Sequence, residues 1–156
     1  MNKLIIKSMP FIKVYIHFVW STKNRIPYLK TPEIRKAMWQ HIKENANKKD
    51  IFIDFVNGYN YHCLCLISLG SEQTISKIMQ LIKGESAFWF NKQNFITEKL
   101  EWQDEYFAVS VSESVVDKVR NYIKNQEIHH TKKSFQEEYT ELIEKFGFKK
   151  FKDTTN

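Results

Sequence analysis

The chain has few of the groups that build a covalent or metal framework. Its two cysteines, Cys63 and Cys65, sit two apart in a strand-like run. At that spacing they cannot close a normal disulfide with each other, and they fall short of a zinc motif. They read as small buried hydrophobes of a protein in a reducing compartment. No stretch approaches the ~20 apolar residues of a membrane span, and the apolar run in MNKLIIKSMPF is too short for a signal peptide. A cytoplasmic protein with no membrane partner is therefore expected. Internal repeats and low-complexity segments are also missing. With 156 residues the chain can bury about two-thirds of the surface it exposes when unfolded, so a single domain over 1–156 needs no staples. Its core is expected over about residues 10–130, with a C-terminal helix and tail over about 131–156.

Positive charge and aromatic rings are plentiful. Lys and Arg number 24 against 18 Asp and Glu, a net charge of +6, and 15% of residues are aromatic. Cationic side chains neutralise phosphates and flat rings stack on bases, so this balance suits a polyanion partner.

Hydrophobic period divides the chain into elements. In FIKVYIHFVWS, Phe11 to Ser21, alternation puts Ile12, Val14, Ile16, Phe18 and Trp20 on one face of a strand, with Lys13, Tyr15 and His17 on the other. After the polar loop STKNRIPYLKT, Thr31 caps a helix that begins at Pro32, and Ile34, Met38 and Ile42 carry it to about Lys48. Residues Ile51 to Asn57 form a second strand, Gly58-Tyr59 a turn, and NYHCLCLISL a third strand. Ile75, Ile78, Met79, Ile82, Trp89 and Phe90 mark a helix over about Gln73–Lys92, in which Gly84 is expected to permit close packing. Trp102 to Ser112 reads as a fourth strand. A third helix starts at Ser114, paired with Asp117 as a cap and turning Val116, Val119 and Ile123 inward. A last helix is expected from Phe135 to Phe146, stopping at Gly147, before the tail FKKFKDTTN. The order βαββαβ with extra C-terminal helices predicts an α+β, ferredoxin-like antiparallel sheet. That fold hosts many functions, so function must come from the site.

Two sets of residues could carry chemistry. In VDKVRNYIKNQEIHH, Tyr122 and Gln126 are four apart and share a helical face, with His129 or His130 a further turn along. On the third strand His62, Leu64, Leu66 and Ser68 share one face, and Tyr61, Cys63, Cys65 and Ile67 the other. A lone strand histidine is commonly a satisfied core residue, and a tyrosine above a glutamine is commonly the edge of a core. Together, a histidine on rigid strand backbone, an amide oxygen and a phenol are the groups that a metal-assisted tyrosine nucleophile requires.

Five segments, VWSTKNRIPYL, NGYNYHCLCLISL, IMQLIKGESAFWFNK, WQDEYFAVSVS and VRNYIKNQEIHH, resemble, in order, the small single-strand-DNA transposases of bacterial insertion sequences. These are the HUH tyrosine transposases, with the REP-associated tyrosine transposases as close relatives. The resemblance covers about residues 10 to 148. It implies DNA transposition by a dimeric nuclease and strand transferase that binds single-stranded DNA hairpins at element ends, attacks a phosphodiester through a tyrosine, and leaves a 5′-phosphotyrosine and a free 3′-hydroxyl. It also implies Mg2+ or Mn2+, held by two histidines spaced His-apolar-His and by a glutamine on the tyrosine helix.

On that resemblance Tyr122 matches the nucleophile, Gln126 the metal-binding glutamine and His62 the first histidine. The second histidine falls on Leu64, which cannot ligate a metal. Losing a directly ligating imidazole should cost at least the 10- to 100-fold typical of disturbing a supporting partner. Asn60 and His17 are the possible substitutes, and a relative that binds DNA hairpins without cutting them is the alternative. Lys23, Asn24 and Arg25 of the STKNR loop, Lys83 on the second helix, and the Lys132-Lys133 step are the candidate DNA contacts.

Overall fold

Strand pairing is set by which alternate residues can be buried. In β1, Tyr15–Ser21, the side chains of Ile16, Phe18 and Trp20 lie in the main hydrophobic core. Opposite them across the antiparallel pairing are Ile67, Cys65 and Cys63 of β3, His62–Ser68, which face the same core. The intervening residues His17, Val19 and Ser21 pair with Leu66, Leu64 and His62 on the other face. With β2, Phe52–Gly58, and β4, Phe107–Val111, the sheet has the order β2-β3-β1-β4, antiparallel throughout. The expected α+β, ferredoxin-like arrangement is thus the one observed. The computed structural model describes residues 11–126 together with Glu137. Apart from helical Glu137, the expected helix over Phe135–Phe146, its stop at Gly147, the pairs His129-His130 and Lys132-Lys133, and the tail lie outside the described residues.

Two helices cover the main core face. α1, Pro32–Lys48, is capped by the Thr31 hydroxyl, which accepts from the Ile34 amide. It buries Met38, Trp39, Ile42 and Ala46. α2, Ile75–Gln93, is capped in the same way by Thr74 and buries Ile78, Met79, Ile82 and Phe90. α3, Val116–Lys124, packs against β2 and β3. The buried apolar residues outside the main cluster, Tyr15, Val19, Leu64, Leu66, Val116 and Ile123, make a smaller second layer. Among the described residues no helix is long and apolar enough to cross a membrane.

Four local expectations need correction. β1 begins at Tyr15, because its partner strands end opposite that residue at Ser68 and Val111, and Ile12 and Val14 are left exposed. β4 begins at Phe107; Trp102 turns away into an isolated bridge with Thr22, and its indole donates to Ser86. The hydroxyl at the start of the third helical segment is that of Ser112, which accepts from the Ser114 amide, and residues 113–115 form a 3-10 turn before α3. Gly84 packs against nothing: a Cβ there would meet no atom within 4 Å.

Candidate functional site

The site begins with a histidine at the first position of a central strand. His62 lies opposite Ser21 and, by alternation, on the same face as Leu64 and Leu66. On that face its Nε2 lies 3.1 Å from Gln126 Oε1, and both residues are fully buried. An amide oxygen only accepts, so the imidazole donates in this arrangement. The Gln126 Nε2 in turn donates to the Tyr122 carbonyl at 3.1 Å, which aims the amide oxygen at the ring. A histidine from β3 and a glutamine 64 residues later are therefore brought into direct contact.

Tyr122 lies one helical turn, about 6 Å, back from Gln126. Its ring meets the edge of His17 at 6.4 Å between centroids and an interplanar angle of 78°. His17 pairs with Leu66, four residues along β1 from the position facing His62, or roughly 13 Å at the strand rise. The structure therefore places His17 beside Tyr122, and it does not substitute for the missing strand histidine. Burial lowers its pKa from 6.5 to about 4, so the ring is neutral near pH 7. Its Nε2 is buried and finds no hydrogen-bond partner among the described residues.

Leu64 is 2% exposed between Val19 and Asn57 on the neighbouring strands. Among the described residues no cluster of three or more His, Cys, Asp or Glu could hold a metal. A cation here would instead meet the His62 nitrogen and the Gln126 oxygen. Asn60 belongs to the hairpin loop between β2 and β3, where strand alternation no longer applies. Its carbonyl accepts from the Leu29 amide at 2.9 Å, while its Oδ1 is buried without a hydrogen-bond partner among the described residues. That orphaned oxygen belongs to a residue two positions before His62 in the chain. The neutral donors of His62 and Gln126 fit a hard divalent ion such as Mg2+ or Mn2+ that keeps its other positions for water and phosphate oxygens.

The basic loop lies at the same end of the sheet. Lys23–Arg25 form a short 3-10 turn directly after β1, with Asn24 and Arg25 at φ of 57° and 54°. The Thr22 amide donates to the Tyr61 carbonyl and the Lys23 amide to Glu101, both at 2.8 Å, which tethers the turn next to His62. Lys23 and Asn24 are exposed. Lys83 is differently placed: its ammonium donates to the carbonyls of Gln103 and, at 3.0 Å, Asp104, and burial lowers its pKa. It fastens the loop before β4 to α2.

Sequence reasoning missed the groups that fasten α3. Asn57 Nδ2 donates to the carbonyls of Ile123 at 2.9 Å and Lys124 at 3.2 Å. Arg120 donates to Asp54 through Nε at 2.8 Å and Nη2 at 2.7 Å, and through Nη1 to Asp117 at 2.8 Å. The Asp54 bonds raise the guanidinium pKa further.

Similar proteins carry this same architecture. A crystal structure of a candidate transposase from Deinococcus radiodurans R1 is 20% identical and superposes with a TM-score of 0.62, over 78% of this chain and 98% of that one. A REP-associated tyrosine transposase bound to a REP hairpin is 17% identical, with a TM-score of 0.53 over 83% of this chain and 74% of that one. At those identities the likeness is one of fold. No curated protein matches. The model of the family described as "Transposase IS200 like" matches residues 11–126, which hold the sheet and α1, α2 and α3. The chain belongs to that transposase family.

Proposed function

We propose that this transposase acts on single-stranded DNA as an endonuclease and strand transferase, with Tyr122 as its nucleophile and with Mg2+ or Mn2+ held by His62, Gln126 and Asn60. The observation that carries the reading is the meeting of His62 and Gln126 at 3.1 Å, with Tyr122 four residues before Gln126, on α3. When bound, the divalent ion polarises the scissile phosphate and stabilises the developing charge. The Tyr122 oxygen attacks phosphorus and gives up its proton, the bond from phosphorus to the 3′-oxygen breaks, and that oxygen leaves as a 3′-hydroxyl. The 5′-phosphate stays on Tyr122, so its bond energy is conserved and the reverse attack rejoins a strand. Lys23, Asn24 and Arg25, tethered beside His62, hold the DNA backbone or an unpaired base.

The substrates proposed are DNA hairpins at element ends, engaged by a homodimer; the hairpin in the related REP-associated structure supports the first part. Incubating the protein with labelled single-stranded hairpin DNA and Mn2+ should give a covalent adduct. Tyr122→Phe should abolish the adduct and leave hairpin binding intact; adducts that persist in this variant would remove Tyr122 from the role.

One observation favours a second reading. Leu64 is fully packed where the family resemblance expects an imidazole. On that basis the chain binds hairpins without cutting. Tight binding with no adduct, and an adduct gained in Leu64→His, would establish this alternative.

A further inference from the structure

The geometry points to Asp54 and Asn57 as positioning residues that set where α3 docks on the sheet, and hence whether Gln126 reaches His62. The cause lies in β2. Its pairing with β3 runs Ile53 to Ile67 and then Phe55 to Leu66, leaving Asp54 as an extra residue in a β-bulge. The bulge shifts the alternation of everything beyond it. Ile53 and Val56 are three apart, yet both pair with residues of the main core, Ile67 and Cys65. Phe55 and Asn57 then pair with Leu66 and Leu64 and join them on the α3 face. In a regular strand Asn57 would have Ile53's parity and point at α1 and α2.

Both residues use that placement on α3. The Asp54 carboxylate accepts two bonds from Arg120, two residues before Tyr122. The Asn57 amide donates to the carbonyls of Ile123 and Lys124, in the last turn of α3. Asn57 Oδ1 also accepts from the Gly58 amide at 2.9 Å, so the same side chain is locked at the hairpin that delivers His62. The two anchors bracket Tyr122, and Gln126 follows directly after the second. The smaller apolar layer under α3 leaves its position along β2 and β3 to these directional bonds.

The test has two parts. Amide hydrogen exchange of the full chain, in Asn57→Ala and Asp54→Asn, should be roughly tenfold faster over residues 117–124, as loss of about one hydrogen bond's net stabilisation requires, with β1 and β3 amides unchanged. Adduct formation on hairpin DNA should then need roughly tenfold more Mn2+ for half-maximal yield, at unchanged hairpin affinity. Unchanged α3 exchange and Mn2+ requirement in both variants would overturn the inference, as would equal acceleration in β1 and β3. The second part rests on the proposed strand-transfer reading. If the parent chain forms no adduct at any Mn2+ concentration, that reading fails, and the exchange data alone decide the role of Asp54 and Asn57.

Discussion

Burial decides the protonation of His17. Its pKa is held at about 4 by desolvation, against 6.5 when unfolded, so between those values the unfolded chain binds the extra proton. The corresponding stability is fully present above pH 6.5 and is lost as pH falls towards 4, a difference on the order of 3 kcal/mol. Denaturant midpoints at pH 7 and pH 4.5 should show a smaller acid loss in His17→Gln than in the parent chain; equal losses would mean that the ring is hydrated. Gly58 is governed by space. A Cβ there would lie 2.1 Å from the His62 carbonyl oxygen and 2.9 Å from Trp39, so Gly58→Ala should destabilise by about 2 kcal/mol, read from chemical denaturation. At this scale strand and helix periods gave His62 and Gln126 a face each, while their pairing was implied by the family resemblance. Asn60 and His17 were not legible. The strand period stops at the hairpin before Asn60, and which neighbour lies four residues along β1 depends on register, which periodicity does not contain.

Helix signals were the most legible elements, since they are written locally. Thr31 before Pro32 names the start of α1, and the hydroxyl does accept from the Ile34 amide at 3.2 Å; Thr31→Ala should cost about 1 kcal/mol in thermal or chemical unfolding. Gly84 is the opposite case. It costs α2 helix propensity with no packing in return, so Gly84→Ala should stabilise by about 0.5–1 kcal/mol, and a loss of stability would show that the site is more crowded than its surroundings indicate. Strand ends were poorly legible because their partners set them: Ile12 and Val14 continue the alternation of β1, but the partner strands end opposite Tyr15 at Ser68 and Val111. The bulge at Asp54 was hidden for a related reason. Nothing in IFIDFVN marks an extra residue, which shows only when pairing with β3 counts one too many.

For the whole molecule, the order of elements implied the sheet, while its electrostatics bear on the proposed partner. The net charge of +6 and the exposed Lys23 beside the His62 end favour phosphate contacts. If the chain makes even three of them, affinity for a single-stranded hairpin should fall roughly tenfold or more between about 50 and about 200 mM salt. Filter binding or anisotropy across that range checks this, and a flat profile would argue against a nucleic-acid role.

The two cysteines offer a clock for events on only one side of the sheet. Cys63 and Cys65 are reduced, completely buried and turned toward α1 and α2, and burial pushes both thiols well above their ordinary pKa. A thiol reagent can therefore label them only after the main core opens. Release of α3, on the opposite face of the same strand, should leave their labelling rate unchanged. A helix that detaches for catalysis and a molecule that unfolds would thus be told apart by atoms already in the chain.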